Sequence, residues 1–262
     1  MNPYHQLYLG HTAQRAKNPP FSLRSCSIPC EVIRISDASF KKDLDNLIAR
    51  LRDSGYIKTD EMERAFRAVP REEFVRPDAR RHAYRDTPLS IGLGQTISAP
   101  HMCAIMCEGL ELRPGFKVLE VGAGSGYHAA LCAEMVAPRG KEPAGHVYTL
   151  EIVEGLIDFA RSNLERTGFS DRVTLIQGDG GKGLPELAPF DRILVAAAAP
   201  SIPQPLVNQL SPNGIMLIPV GGGYFQELIM LRKDAQGNLS KNAWGGVAFV
   251  PLTGEFGHHR SM

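Results

Sequence analysis

Residues 118–127 read Val-Leu-Glu-Val-Gly-Ala-Gly-Ser-Gly-Tyr, an acid followed by three alternating glycines. Glycine at Gly122, Gly124 and Gly126 permits a tight turn with unusual dihedrals and lets a bound nucleoside approach the backbone closely. If a helix follows, its first amides face the ligand and favour a carboxylate or phosphate there. The spacing is G-x-G-x-G; the dinucleotide pattern G-x-G-x-x-G needs glycine at 127, where this chain has Tyr127. Glu120 would repel a pyrophosphate but not a cationic sulfonium or an amino group. Two more acids close apolar runs. Glu151 ends His146–Glu151, where a carboxylate can accept hydrogen bonds from both ribose hydroxyls. Asp179, in Gly178-Asp179-Gly180-Gly181, suits an adenine amino group. Plainer readings exist: an ordinary strand–helix turn for the glycines, a helix cap for Glu151, a turn for Asp179. Together, at three consecutive strand ends, the acids favour a nucleoside site, with S-adenosylmethionine ahead of a nicotinamide dinucleotide.

Such a site needs strands that end together. Lys117–Val121, His146–Glu151, Val173–Gln177, Asp191–Ala197, Gly214–Val220 and Phe225–Lys233 read as strands, with Trp244–Val250 as a seventh. Tyr127–Val136, Val153–Arg166 and Gln204–Leu210 read as helices between them. Another helix starts near Pro100 and carries Met102, Ile105, Met106 and Leu110 on one side. The alternation predicts an α/β fold, a doubly wound, seven-stranded, mostly parallel sheet, with an antiparallel pair at one edge. Ahead of it, Leu44, Leu47, Ile48 and Leu51 recur at helical spacing up to Gly55, and Thr59 or Asp60 caps a second helix ending before Pro70. This N-terminal helical piece leads into a loop-rich stretch, 71–100. The expected organisation is an extension over 1–38, a helical and loop-rich substrate-side segment over 39–100, and a nucleoside-binding domain over 101–262, one integrated fold from about 39.

Composition narrows the partners. The chain has 262 residues, 43% of them hydrophobic and 22% charged, and a net charge of +1. That balance provides no bulk attraction to nucleic acid. No apolar run approaches the ~18 residues of a membrane-spanning helix. The first thirty residues are polar and interrupted by Pro19, Pro20 and Pro29, unlike a secretory signal. Arg15, Lys17 and Arg24 with no acid before Glu31 leave a transit peptide as the alternative to a plain extension. The five cysteines, Cys26, Cys30, Cys103, Cys107 and Cys132, form no C-x-x-C pair, so reduced structural thiols and no metal are expected.

Further segments carry a family resemblance. They are Ala83-Tyr84-Arg85-Asp86-Thr87-Pro88-Leu89, Gly94-Gln95-Thr96-Ile97-Ser98-Ala99-Pro100-His101-Met102, Gly178-Asp179-Gly180, Pro189-Phe190-Asp191 running into Ala196–Pro200, Leu217-Ile218-Pro219-Val220-Gly221 and Val250-Pro251-Leu252-Thr253. With the glycine turn they span roughly residues 43 to 255. The chain resembles the protein-L-isoaspartate (D-aspartate) O-methyltransferases, whose fold is the class I S-adenosylmethionine-dependent methyltransferase type. The resemblance implies methyl transfer from S-adenosylmethionine to the free α-carboxylate of L-isoaspartyl, and also D-aspartyl, residues in damaged proteins and peptides. S-adenosylhomocysteine is the product, and the ester then cyclises to a succinimide.

By the same resemblance Gln95, Thr96, Ile97, Ser98, Ser125, Glu151, Ile152, Asp179, Gly180 and Thr253 contact the cofactor. The glycine turn adds Glu120, Gly122, Gly124 and Gly126. Ser98 matches the catalytic position, and Asp86, Thr96, Ser98, Ala197, Ala198 and Ala199 the substrate side. One departure is Cys103, where many members carry a second histidine. A carboxylate with a pKa near ~4 is already ionised at neutral pH, so no general base is needed. Ser98 is therefore expected to orient the carboxylate as a hydrogen-bond donor. The remaining expectations are isoaspartyl proteins and peptides as partners, no nucleic acid, no membrane, a monomer and a cytoplasmic location. The alternatives are a methyltransferase for another substrate and a non-catalytic adaptor that binds the same cofactor.

Overall fold

The computed structural model describes residues 37–223 and 225–258. The expected extension lies outside the described residues except for its last two, which begin helix α1 (Asp37–Asp53). Helix α2 (Asp60–Ala68) starts where Thr59 Oγ1 accepts the Met62 amide hydrogen at 3.2 Å, so Thr59 is the cap, and Asp60, Glu61 and Glu63 place negative charge at its N-terminus. Met62, Ala65 and Phe66 form its buried face.

The stretch 71–100 is not wholly loop. Two short strands, β1 (Leu89–Gly92) and β2 (Gln95–Ile97), form an antiparallel hairpin, preceded by turns of 3₁₀ helix at Arg71–Glu73 and Pro77–His82. At the hairpin tip Leu93 (φ 53°) and Gly94 (φ 73°) are both left-handed. Helix α3 (Pro100–Gly109) follows with proline in its first turn, where its missing N–H costs nothing.

The main sheet contains β3 (Lys117–Val121), β4 (His146–Glu151), β5 (Val173–Gln177), β6 (Phe190–Val195), β7 (Leu210–Gly222), β8 (Phe225–Lys233) and β9 (Leu239–Val247), in the order β5-β4-β3-β6-β7-β8-β9. The first five strands in that order are parallel, and β7–β8 and β8–β9 are antiparallel. Helices α4 (Tyr127–Val136), α5 (Glu154–Arg166) and α6 (Gln204–Gln209) supply the crossovers.

Each face of the sheet has its own core. One cluster joins residues of α1 to α5, from Phe40 and Leu47 through Met106 and Leu131 to Met230. The other holds Leu119, Phe190 and Ile193 beneath Leu206 and Val207 of α6. Every residue of α4 is buried, as an apolar helix sandwiched between the sheet and α2–α3 requires. The helix layers are thus unequal, with five helices on one face and α6 with short 3₁₀ turns on the other.

The seventh strand runs over 239–247, earlier than the predicted 244–250. A turn at Asp234–Asn238 sets its start: Asp234 Oδ1 accepts from the Gln236 and Asn238 amides at 2.9 and 2.8 Å. Trp244 in β9 lies over α3, where a Cβ on Gly109 would come within 2.5 Å of its ring. Helix α3 is also tied at its far end, because Glu108 Oε1 accepts from the Lys58 and Thr59 amides at 2.7 and 2.9 Å.

Candidate active site

A cleft enclosing about 780 Å³, mouth included, crosses the carboxyl ends of β3, β4 and β6. The chain order reverses beside β3, whose neighbours β4 and β6 lead to opposite edges, and such switch points are where open α/β sheets bind ligands. One wall is the sheet with its glycine turn; the other is the β1–β2 hairpin and the start of α3.

The turn has positive φ at Gly122 (93°), Gly124 (55°) and Gly126 (84°), values that cost a side-chain-bearing residue about 1–2 kcal/mol. At Gly124 a Cβ would stand 3.3 Å from Ile91 Cδ1, so its absence lets the hairpin close on the turn. The Gly122 and Ala123 amides donate to Leu150 O at 2.8 and 3.0 Å, pinning the turn to β4. The Gly124 amide donates to Glu151 Oε2 at 2.8 Å, while Oε1 accepts from the Ile152 and Val153 amides at 3.0 and 2.9 Å. Glu151 therefore shapes two turns, and it also lines the cleft. With about four acceptor sites on a carboxylate, three bonds leave roughly one for a ribose hydroxyl unless a turn amide is released.

Three expected cofactor contacts are not on the cleft wall. Glu120 is fully buried, because strand alternation sends Val121 to the cleft and Glu120 away from it. Its Oε2 accepts from Thr149 Oγ1, its neighbour across β4, and its Oε1 has no partner. Burial pushes its pKa up to about 8 against that hydrogen bond, which favours the neutral carboxyl near pH 7. Asp179 spends its oxygens on the Gly181 and Glu255 amides at 3.0 and 2.8 Å, tying the C-terminal segment to the loop after β5. Gly126 sits behind the wall as the left-handed cap of α4. Ser125, Ile152, Gly180 and Thr253 do line the cleft, and Gly180 is there because a Cβ would meet Val121 Cγ1 at 2.3 Å.

On the opposite wall stand Gln95, Thr96, Ile97 and Ser98. A residue missed in the sequence holds this wall. Arg71 has no exposed surface and donates from Nε to Ala83 O at 2.8 Å and from Nη2 to Ser98 O at 2.7 Å. Its guanidinium lies 4.8 Å from the centre of the Tyr127 ring, the first residue of α4. A lone arginine in a polar stretch, Pro-Arg-Glu-Glu, gives no signal of such burial. Asp86 Oδ1 accepts from both the backbone N and Nδ1 of His101, each at 2.9 Å, and so caps the first turn of α3 from outside the helix.

A second groove, about 1050 Å³ with its mouth, shares Thr96, Ser98, Ala196 and Val250 with the cleft. Its outer rim includes His101 and Phe225, the latter 66% exposed. Of the alanine run, Ala196 and Ala197 reach the cleft. Ala198 and Ala199 are fully buried and pair with Val250, Leu252, Pro219 and Gly221 through their backbones, so they close the sheet and offer no surface to a peptide.

The floor of the cleft includes Cys103 and His128. Burial pushes the His128 pKa down to about 4, against a backbone contact with Cys103 that favours the protonated ring. Like Arg71, this imidazole carries no signal in the sequence pattern around it.

Comparison with known proteins agrees with this geometry. Residues 42–257 match the family model described as Protein-L-isoaspartate(D-aspartate) O-methyltransferase. The protein-L-isoaspartate O-methyltransferase of Hyperthermus butylicus is 55% identical over 221 residues, 83% of this chain and 91% of that protein. The Methanopyrus kandleri protein of the same name is 52% identical over 84% of this chain and 96% of its own length. Among solved structures, a Plasmodium falciparum protein described as a protein-L-isoaspartate O-methyltransferase, in complex with S-adenosyl-L-homocysteine, superposes with a TM-score of 0.71. It is 31% identical and covers 82% of this chain and 98% of its own.

Proposed function

This chain belongs to the protein-L-isoaspartate (D-aspartate) O-methyltransferase family, and we propose, from that membership and the geometry of its cleft, how its residues methylate a damaged aspartyl side. The enzyme transfers a methyl group from S-adenosylmethionine to the free α-carboxylate of L-isoaspartyl residues in proteins and peptides, and of D-aspartyl residues as well. The observation that carries this reading is the pair of cavities meeting at Thr96 and Ser98, one backed by a nucleoside-type glycine turn and the other open enough for a peptide.

The cleft suits the cofactor. Gly124 and Gly180 leave the space that a side chain would fill, and Glu151 presents a fixed carboxylate edge to a ribose. When bound there, S-adenosylmethionine supplies a methyl group carried by a positively charged sulfur. The peptide carboxylate is ionised at neutral pH, so the protein need remove no proton before the transfer. Ser98 donates a hydrogen bond that aims one carboxylate oxygen, and Arg71 fixes the backbone that carries it. Thr96 stands on the shared wall, placed to contact both cofactor and peptide. The reaction brings opposite charges together, and a cleft that excludes water favours it.

The chain acts on isoaspartyl proteins and peptides as a monomer in the cytoplasm, in our reading. Cys103, Cys107 and Cys132 are free, and among the described residues no helix is long and apolar enough to cross a membrane. The test is transfer of a radiolabelled methyl group to matched peptides containing isoaspartate or aspartate. Label is expected in the isoaspartyl peptide alone. Equal labelling of both would overturn the repair reading, and labelling of neither with cofactor binding intact would favour an adaptor.

A further inference from the structure

Beneath the cleft, α3 and α4 face each other with sulfur and imidazole. Cys103 and Cys107 are four residues apart on α3, and His128 and Cys132 four apart on α4, a spacing that puts each pair on one helix face. Ligand atoms of Cys107, His128 and Cys132 all lie within 4.8 Å of one another, and the two sulfurs are 4.0 Å apart. Both thiols have no exposed surface and His128 is 6% exposed.

Three accounts compete for this cluster. Simple packing satisfies the thiols, which behave as small apolar groups, but leaves the buried His128 ring with at most one partner, the Cys103 backbone. A disulfide would have to draw the sulfurs from 4.0 Å to about 2.05 Å and would give the His128 ring no new partner. A tetrahedral ion with metal–sulfur bonds of about 2.3 Å holds two sulfurs about 3.8 Å apart, close to their present separation, and takes the imidazole lone pair as its third bond. Two thiolates and a neutral imidazole around a divalent ion make an uncharged group, which is what an apolar interior accepts.

We propose that Cys107, His128 and Cys132 form a metal site for a borderline or soft divalent ion, with zinc as the ion of choice. On binding, the two thiol protons leave to solvent and two sulfur–metal bonds and one nitrogen–metal bond form. The fourth position falls to a water from the cleft, which keeps the group uncharged. Because Cys103 and His128 line that cleft, the ion enters through the cofactor site before the cofactor does.

The experiment titrates cobalt(II), then zinc, into the full-length, cofactor-free chain in a phosphine reductant. We expect one cobalt per chain, a thiolate-to-cobalt charge-transfer band, and displacement of that band by zinc. The double variant Cys107→Ala/Cys132→Ala should bind at least ~100-fold more weakly. Cys26 and Cys30, also four apart, lie outside the described residues, so the Cys26→Ser/Cys30→Ser variant is titrated in parallel and should keep the band. A second measurement needs no core substitution: zinc should slow alkylation of Cys107 and Cys132 in the native chain by at least ~10-fold, mapped by mass spectrometry. The absence of a charge-transfer band overturns the site. So does a band that follows Cys26 and Cys30, or alkylation of Cys107 and Cys132 that zinc leaves unchanged.

Discussion

The two walls of the cleft are built in different ways. The sheet wall is backbone made by its neighbours: a strand, a left-handed glycine turn and a helix, with the turn amides bonded to Leu150 O and to Glu151 one strand away. The helical wall is held by single side chains reaching far along the chain. Arg71 bridges to Ala83 and Ser98, 12 and 27 residues on, Asp86 to His101, 15 on, and Glu108 back to Thr59, 49 before it. A backbone wall is redundant and is written in a short local pattern. A tethered wall depends on one group at a time, and its partners are carbonyls and amides that any sequence possesses. Damage to the second wall should therefore cost folding and turnover more than it costs cofactor affinity.

Removing Arg71 tests this contrast most severely. Arg71→Met orphans two buried carbonyls at about 1–3 kcal/mol each, so urea unfolding should show a loss of about 3–4 kcal/mol. Isoaspartyl-peptide turnover should fall with it, and cofactor affinity in the folded fraction should change less than about threefold. Comparable loss of cofactor affinity would erase the distinction between the walls.

Glu151→Ala attacks the other wall. Its loss strands the Gly124, Ile152 and Val153 amides and removes the proposed ribose contact, and calorimetry should show cofactor binding weakened by about 3 kcal/mol, on the order of a hundredfold. A smaller effect than this would return Glu151 to a purely turn-shaping role.

Next comes the buried acid behind the sheet wall. The folded-state pKa of Glu120 is raised to about 8 by burial, so between its unfolded value, near ~4.3, and 8 the native state holds a proton that the unfolded chain has released. Stability then falls as pH rises through that window. His128, pushed down to about 4, opposes this up to its unfolded value near ~6.5. The uncompensated decline should appear between about pH 6.5 and 8, at up to ~1.4 kcal/mol per pH unit. Urea midpoints of the metal-free chain across that range should flatten in Glu120→Gln; an unchanged slope would place the titrating group elsewhere.

Ser98→Ala should lower kcat/KM for an isoaspartyl peptide about tenfold, the value of one hydrogen bond to a charged group, with cofactor affinity kept. Full turnover would remove Ser98 from the reaction. The smallest change is Asp86→Ala, which uncaps α3 for about 1 kcal/mol in thermal unfolding. A collapse of peptide KM with no loss of stability would instead make Asp86 a substrate contact.

What could be read in the sequence follows the same division. Lys117–Val121, Tyr127–Val136 and Val173–Gln177 carry periodicity strong enough to locate the elements to the residue, and the glycine spacing gave the cofactor class. The edge strand was misplaced because Leu-Ser-Lys-Asn-Ala-Trp-Gly-Gly-Val has no alternation and is almost wholly exposed; the turn residues Asp234 to Asn238 were the better guide. The hairpin at 89–97 was missed because strands of four and three residues are too short for a period to show. For Glu120 and Asp179 a position at a strand end suggests a ligand contact. Position alone does not say which face a side chain takes, nor that a nearby amide will claim it first. The cluster of Cys107, His128 and Cys132 escaped because its two halves are separate helices, joined only when α3 packs on α4.

Trp244 is the protein's single tryptophan, and it lies on the seam between β9 and α3 against Gly109. The molecule therefore carries an intrinsic fluorophore at one chosen spot, half in water and half against the helix that leads from the second groove. Its emission colour and its quenching by iodide would report loosening of that seam in real time, without a label, and would separate events at the tethered wall from those at the distant glycine turn. Stopped-flow traces of this one signal could time peptide arrival independently of methyl transfer.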